Sequence, residues 1–275
     1  MLIYIFAESA TPKGTRSRIR DVEIMRKNNP PLFNQTYIDT GDGAVVVLLH
    51  GLFGNLVMWK NVIEDLRQNY RVVVPRLPVF DLPIEHANIK FLAKVLHEYL
   101  DWHQFKDVTL VGHAIGGQVA LMYTNFNPSN VRKIVLTGSS GLFENSPFLQ
   151  GPTSENSLAF VDEKVREVFY NKDFVPGTLI REVYETVQNI PKRIALGQLA
   201  RSSRHSNVSP FLGKLPHPVL LAWGLDDKIT PPDVALHFHD LLPNSELQFI
   251  SACGHLPMVE QPKKFNQHLR DFLSA

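Results

Sequence analysis

The stretch from Val111 to Gln118 reads VGHAIGGQ: an apolar strand end, then Gly112-His113-Ala114-Ile115-Gly116, then the start of a helical pattern. Two glycines around one residue at a strand-to-helix turn hold that residue in strained backbone geometry and lift its side chain above the sheet. The N-terminus of the following helix then lies behind it and favours a developing oxyanion. A serine at such a place is a nucleophile; here the raised residue is Ala114, which has no group that can attack. Three other stretches carry chemistry. His50-Gly51-Leu52-Phe53-Gly54 follows the apolar run VVVLL, LAWGLDDKITPP carries Asp226 and Asp227, and SACGHLPMVEQP carries His255. A carboxylate can orient an imidazole and stabilise its charged form, and the imidazole can take a proton from a nucleophile. Taken singly, the four are a packing turn, a His-Gly loop, a capping aspartate and a loop histidine. Taken together, each follows an apolar strand-like run, which puts all of them at one edge of a sheet.

Positioning these loops requires a strand–helix alternation, and the chain shows one. QTYID and AVVVLLH read as strands joined by Thr40-Gly41-Asp42-Gly43, a turn rich in residues that tolerate positive φ, so the two are expected to form a hairpin. MWKNVIEDLRQN follows with helical periodicity, then RVVVP as a short strand. Residues 88–104 line up Ile89, Leu92, Ala93, Leu96, Tyr99 and Leu100 on one helical face, followed by DVTLVG as strand, IGGQVALMYTNF as helix and VRKIVLTG as strand. Residues 140–213 break the rhythm and read as loop plus three helices, about 162–171, 177–189 and 191–203, punctuated by Pro176 and Pro191. The alternation resumes with HPVLLAWG, PDVALHFHDLL, SELQFI and a last helix from Pro262. Continuous apolar strands alternating with helices give an α/β protein with a mainly parallel sheet covered on both faces. Residues 31–139 and 214–275 form its core. Residues 140–213 form a helical insertion over the carboxyl ends of the strands, where such sheets bind ligands.

With 275 residues, of which 44% are hydrophobic and 20% charged, the chain has ordinary globular composition and needs no staples to bury a core. A net charge of +1 steers it to neither nucleic acid nor an anionic membrane. The one cysteine, Cys253, excludes an internal disulfide and fits a reducing, cytoplasmic compartment. MLIYIFA is too short to span a bilayer and lacks a preceding basic region, so residues 1–30 are read as an N-terminal extension. His237 and His239 sit two apart on a helical pattern and point to different sides, so no metal is expected. No cofactor is expected either.

The set LLHGLFGN, VGHAIGGQVAL, WGLDDKITPP and CGHLPMVEQP resembles the α/β-hydrolase superfamily over about residues 33–275. The order elbow, acid, histidine is that family's order. The resemblance implies that Leu52 and Ile115 supply the backbone N–H groups of an oxyanion hole. It also makes Asp227, four residues after Trp223, the acid in preference to Asp226, and His255 the base. Position 114 departs from the pattern. Alanine deletes one oxygen from serine and keeps the turn, so Ala114 is read as a deliberate Ser→Ala replacement in an otherwise intact site.

Aspartate nucleophiles of this superfamily are usually followed by tryptophan, where this chain has Ile115. Epoxide hydrolases show His-Gly-x-Pro, where it has Phe53, and hydrolases of ring-cleavage products carry a tryptophan after the histidine, where it has Leu256. The remaining expectation is a carboxylic ester hydrolase for a small to medium apolar ester. Two rivals stand beside it: a ligand-binding protein on the same scaffold with Ala114 natural, and a lyase or cofactor-free oxygenase that works by His255 and Asp227 alone. Leu142, Phe143, Phe148, Phe160, Phe169, Tyr170, Phe174 and Tyr184 are candidates to line an apolar pocket in the insertion, with Phe53 and Phe143 chosen as substrate contacts. His113 is expected to pack beside the elbow and His50 to hydrogen-bond within its own loop.

Overall fold

A computed structural model describes residues 36–53, 56–144 and 157–275. The extension at residues 1–30 and Phe148 lie outside the described residues, as does the side chain of Phe174. Seven strands form one sheet in the order β1-β3-β2-β4-β5-β6-β7, with β1 at Thr36–Thr40, β2 at Val45–Leu49, β3 at Arg71–Pro75, β4 at Val108–His113, β5 at Val131–Thr137, β6 at Val219–Gly224 and β7 at Ser245–Ile250. All pairs are parallel except β1 with β3.

The expected hairpin between the first two strands does not form. β1 runs antiparallel to β3, from Thr36 opposite Pro75 to Thr40 opposite Val72, while β2 lies on the other side of β3. The Gly41–Ala44 link is long enough to step over one intervening strand, about 10 Å across two spacings. Arg71 then fastens the pair from β3, donating Nε and Nη2 to the two carboxylate oxygens of Asp39 at 2.8 and 2.7 Å.

Strands β2, β4 and β6 are apolar almost throughout and buried on both faces. That is what a parallel sheet between two helical layers demands. On one face pack α1 (Leu56–Leu66) and, at the far end of the chain, α10 (Pro262–Ser274), through Trp59, Val62, Phe265 and Leu269. On the other face pack α2 (Ile89–Trp102), α3 (Ile115–Phe126) and α8 (Pro232–Leu241), through Leu92, Leu96, Val119 and Phe238. Asn88 starts α2 by accepting the Phe91 N–H at 2.9 Å.

Between β5 and β6 run α4 (Leu158–Arg166), α5 (Gly177–Gln188), α6 (Ile190–His205) and the short α7 (Ser209–Leu212). The first of these starts and ends earlier than the periodicity suggested. Ser157 caps it by accepting the Phe160 N–H, and the chain has left the helix before Phe169. Val161, Val165, Val183 and Val187 join these helices to the apolar cluster that α1 and α10 build. A short helix α9 (Pro257–Glu260), which the sequence pattern did not show, follows His255 directly. The strand order turns back between β2 and β4, and the loops after both strands open at that switch point.

Candidate active site

Ala114 sits between the end of β4 and the first residue of α3 with φ 50° and ψ −121°. This conformation is costly for any residue with a Cβ. The surrounding backbone enforces it. Ala114 N–H donates to the Thr137 carbonyl at 3.2 Å, and the Ala114 carbonyl accepts from the N–H groups of Gly117, Gln118 and Ser140. Close packing requires the glycine at 116, where a Cβ would strike the Leu49 carbonyl of β2. The turn therefore presents its methyl at the sheet edge with the N–H groups of the first helical turn behind it.

His255 and Asp227 meet beside it. The Nδ1–H of His255 donates to Asp227 Oδ2 at 2.8 Å, and both residues are buried, at 6% and 3% exposed. The carboxylate is fully engaged: Oδ1 accepts the N–H groups of Ile229 (2.8 Å) and Thr230 (3.0 Å), and Oδ2 also accepts the Thr230 hydroxyl at 2.9 Å. Trp223 at the end of β6 shapes this loop by donating its indole N–H to the Thr230 carbonyl at 2.8 Å. Asp226 does different work. Its Oδ2 accepts the Cys253 N–H at 3.2 Å and its own N–H donates to the Cys253 carbonyl, so it ties the two loops together through backbone. Gly138, with φ +54°, makes room for the imidazole; a Cβ there would lie 2.8 Å from Cε1 and Nδ1 of His255.

A second set of contacts fixes His255 from behind. The Nε2 of His113 lies 3.0 Å from the His255 carbonyl, which can only accept, so His113 carries its proton on Nε2. Burial, reinforced by the neighbouring His255, holds the proton affinity of His113 well below that of an ordinary imidazole. The His255 N–H donates to the Val168 carbonyl, in the connection between α4 and α5. Glu260 joins the same parts, accepting the N–H of Tyr170 at 2.7 Å and of Gly254 at 3.0 Å. Burial pushes the Glu260 carboxyl above its usual range, and those N–H donors pull it partly back. His50 bonds within its loop, with Nδ1 2.8 Å from the Gly51 carbonyl, and its Nε2 accepts the Leu77 N–H at 3.1 Å.

These groups open on a cavity of about 360 Å³. Leu52, Phe53, Ala114, Ile115 and His255 line it, as does Phe169 from the inserted segment. Phe143 does not: it is 57% exposed, its side chain turned to solvent while Leu142 before it packs on the core and Glu144 after it reaches the wall. Tyr170 is likewise exposed, while Leu142 and Tyr184 pack into the apolar clusters instead of lining the cavity. Sequence reasoning missed Ser140, Glu144, Val165 and Leu179, all on the wall. It missed Thr230 as well, although a hydroxyl three residues after an aspartate is a recognisable loop-closing signal. No group of metal-binding side chains is found among the described residues, and no described helix is long and apolar enough to cross a membrane.

Comparison with known proteins bears on this edge of the sheet. Residues 46–268 match the family model described as the alpha/beta hydrolase family. A curated relative from Dechloromonas aromatica (strain RCB) is named 2-hydroxy-6-oxononadienedioate/2-hydroxy-6-oxononatrienedioate hydrolase 1. It is 28% identical over 97% of this chain and 96% of its own length. Another, from Metapseudomonas resinovorans, is named 2-hydroxy-6-oxo-6-(2'-aminophenyl)hexa-2,4-dienoic acid hydrolase and is 30% identical over 86% of this chain and 87% of its own. Among solved structures, MGS-MChE2, an alpha/beta hydrolase enzyme from the metagenome of sediments of the Mar Chica lagoon, Morocco, is 31% identical. It covers 86% of this chain and 93% of that one, with a TM-score of 0.71.

Proposed function

The chain belongs to the alpha/beta hydrolase family, and from that premise we propose that its cavity is the site of a carboxylic ester hydrolase for small to medium apolar esters, with Ala114 in the seat of the nucleophile. One observation carries this reading. The backbone at Ala114 keeps a costly conformation that presents a side chain at the cavity, and the His255–Asp227 pair stands complete beside it. A serine there would pass its proton to His255 as it attacks the ester carbonyl. The N–H groups of Leu52 and Ile115 would hold the oxyanion, and water would then release the acyl group. The helices between β5 and β6 act as a cap, and their apolar wall favours an apolar acyl group. With alanine the chain retains the cavity and lacks the attacking oxygen. Its one thiol, Cys253, is buried and suits a reducing, cytoplasmic setting.

The test is Ala114→Ser assayed on p-nitrophenyl esters of graded acyl length beside the unmodified chain. Loss of a serine nucleophile costs on the order of 10⁶ in kcat, so a gain of several orders of magnitude is expected, abolished again by His255→Ala. No gain on any ester overturns the reading. A second reading, cleavage of a carbon–carbon bond in a 2-hydroxy-6-oxo-dienoate, is favoured by the names of the relatives, despite Leu256 after the histidine. It predicts that the same variant acts on such a dienoate and ignores the ester panel.

A further inference from the structure

Apart from the N–H groups already assigned to an oxyanion and the Thr178 hydroxyl, the polar groups on the described wall of this cavity are chiefly acceptors. Glu144 lies on its wall, and its Oε2 accepts the Ser140 hydroxyl at 2.6 Å. Ser140 is 1% exposed, and its own N–H donates to the Ala114 carbonyl at 3.1 Å. The carboxylate is thus held by a residue bonded directly to the turn that presents Ala114. Among the described residues that hydroxyl is the one donor to Glu144. His113, 4% exposed, is on the wall as well. Its proton is committed to the His255 carbonyl, so its Nδ1 carries a lone pair; that atom is buried and has no partner among the described residues, so it adds an acceptor behind the wall and no donor to it. A second carboxylate, Glu182, also lines the cavity, and no lysine or arginine does among the described residues.

We propose that Glu144 is a specificity-determining residue, and that the cavity takes substrates presenting an ammonium or hydroxyl group to it while excluding those that carry a carboxylate. The proposal rests on reading this cavity as the substrate site. An ammonium or hydroxyl donor would complete the hydrogen bonding of Glu144, and a charged donor would do so most strongly. A carboxylate would meet like charge between apolar walls, where water screens it poorly. No lysine or arginine on the described wall offers it a permanent cation.

Binding tests this without turnover. The unmodified chain, which keeps Ala114, is titrated by calorimetry with the N-(4-nitrophenyl) amides of 6-aminohexanoic acid, 6-hydroxyhexanoic acid and adipic acid. These three match in length and end in ammonium, hydroxyl and carboxylate. The expected order is ammonium tightest and carboxylate weakest, separated by at least about tenfold. Glu144→Gln is expected to shrink the gap between ammonium and carboxylate by about tenfold while the hydroxyl amide changes little. Equal or tighter binding of the carboxylate amide overturns the proposal, and so does failure of all three to bind. A gap that survives Glu144→Gln overturns the assignment to Glu144. The order in the unmodified chain decides the charge class by itself, so a variant that does not fold leaves no escape. An ordered series together with a silent ester panel would sink the hydrolase reading alone.

Discussion

His113 holds His255 by its backbone: one imidazole donates Nε2–H to the carbonyl of the other at 3.0 Å, with the two ring centroids 4.7 Å apart. A residue next to the turn thereby fixes the loop that carries the imidazole facing it. The contact needs only the Nε2 proton; burial is what keeps a second proton off Nδ1, and that makes the site sensitive to acid.

Stability should therefore fall as the pH drops below about 6.5, where a histidine in the unfolded chain takes up its proton. Burial keeps both His113 and His50 below the ordinary imidazole range in the folded protein. The unfolded state then binds the extra protons, and each histidine withdraws at most about 1.4 kcal/mol per pH unit below that point. Denaturant titrations between pH 7.5 and 5.5 check the slope. His113→Gln keeps a donor for the His255 carbonyl and should lower the slope by about one proton; an unchanged slope contradicts the assignment.

The two adjacent aspartates should separate cleanly in the Ala114→Ser background. Asp227→Asn leaves an amide where the imidazole needs an acceptor, and kcat should fall by about 10⁴. Asp226→Asn disturbs only the bond to the Cys253 N–H, at a cost of about 1 kcal/mol in stability, and turnover should survive. Ester kinetics and melting curves on both variants read this out. Equal losses of turnover would return the acid to the pair as a whole.

Gly138→Ala places a methyl against the His255 ring and also forces a Cβ into positive φ. A destabilisation of about 1–3 kcal/mol is expected. More specifically, the low-field proton resonance of the Nδ1–H between His255 and Asp227 should weaken or vanish. A folded variant that keeps this resonance unchanged would show that the crowding at residue 138 is relieved elsewhere.

Glu260→Gln retains one acceptor where the carboxylate uses two oxygens, one for the Tyr170 N–H and one for the Gly254 N–H. One of these N–H groups loses its partner, for a loss of about 1–3 kcal/mol. Deuterium exchange should quicken at residue 170 or 254 and leave the central strands untouched. Uniform exchange across the sheet would mean that Glu260 supports the whole fold and not this junction.

Much of this arrangement was legible because its signals are local. The glycines around Ala114, the Trp223-Gly224 strand end and the run of valines in β2 and β3 each declare their own geometry within a few residues. Chain order then brought Asp227 and His255 to the edge where Ala114 stands. What the sequence hid depends on contacts distant in the chain. The partner of β1 is decided by β3 inserting beside β2, which no turn signal announces. Phe143 looked like a pocket residue by type, yet it is its neighbour Glu144 that reaches the wall while Phe143 faces solvent. Glu144 carries no signal of its own in the sequence; its hydrogen bond to the buried Ser140 hydroxyl holds it at the wall.

The backbone torsion at residue 114 has one more consequence. The fold already bears the strain of that elbow with a methyl in place, so adding a hydroxyl asks for no new conformation and displaces no packed neighbour in the core. Every alanine codon lies a single nucleotide from a serine codon. As far as the architecture is concerned, gaining or losing the attacking oxygen is the smallest heritable step available.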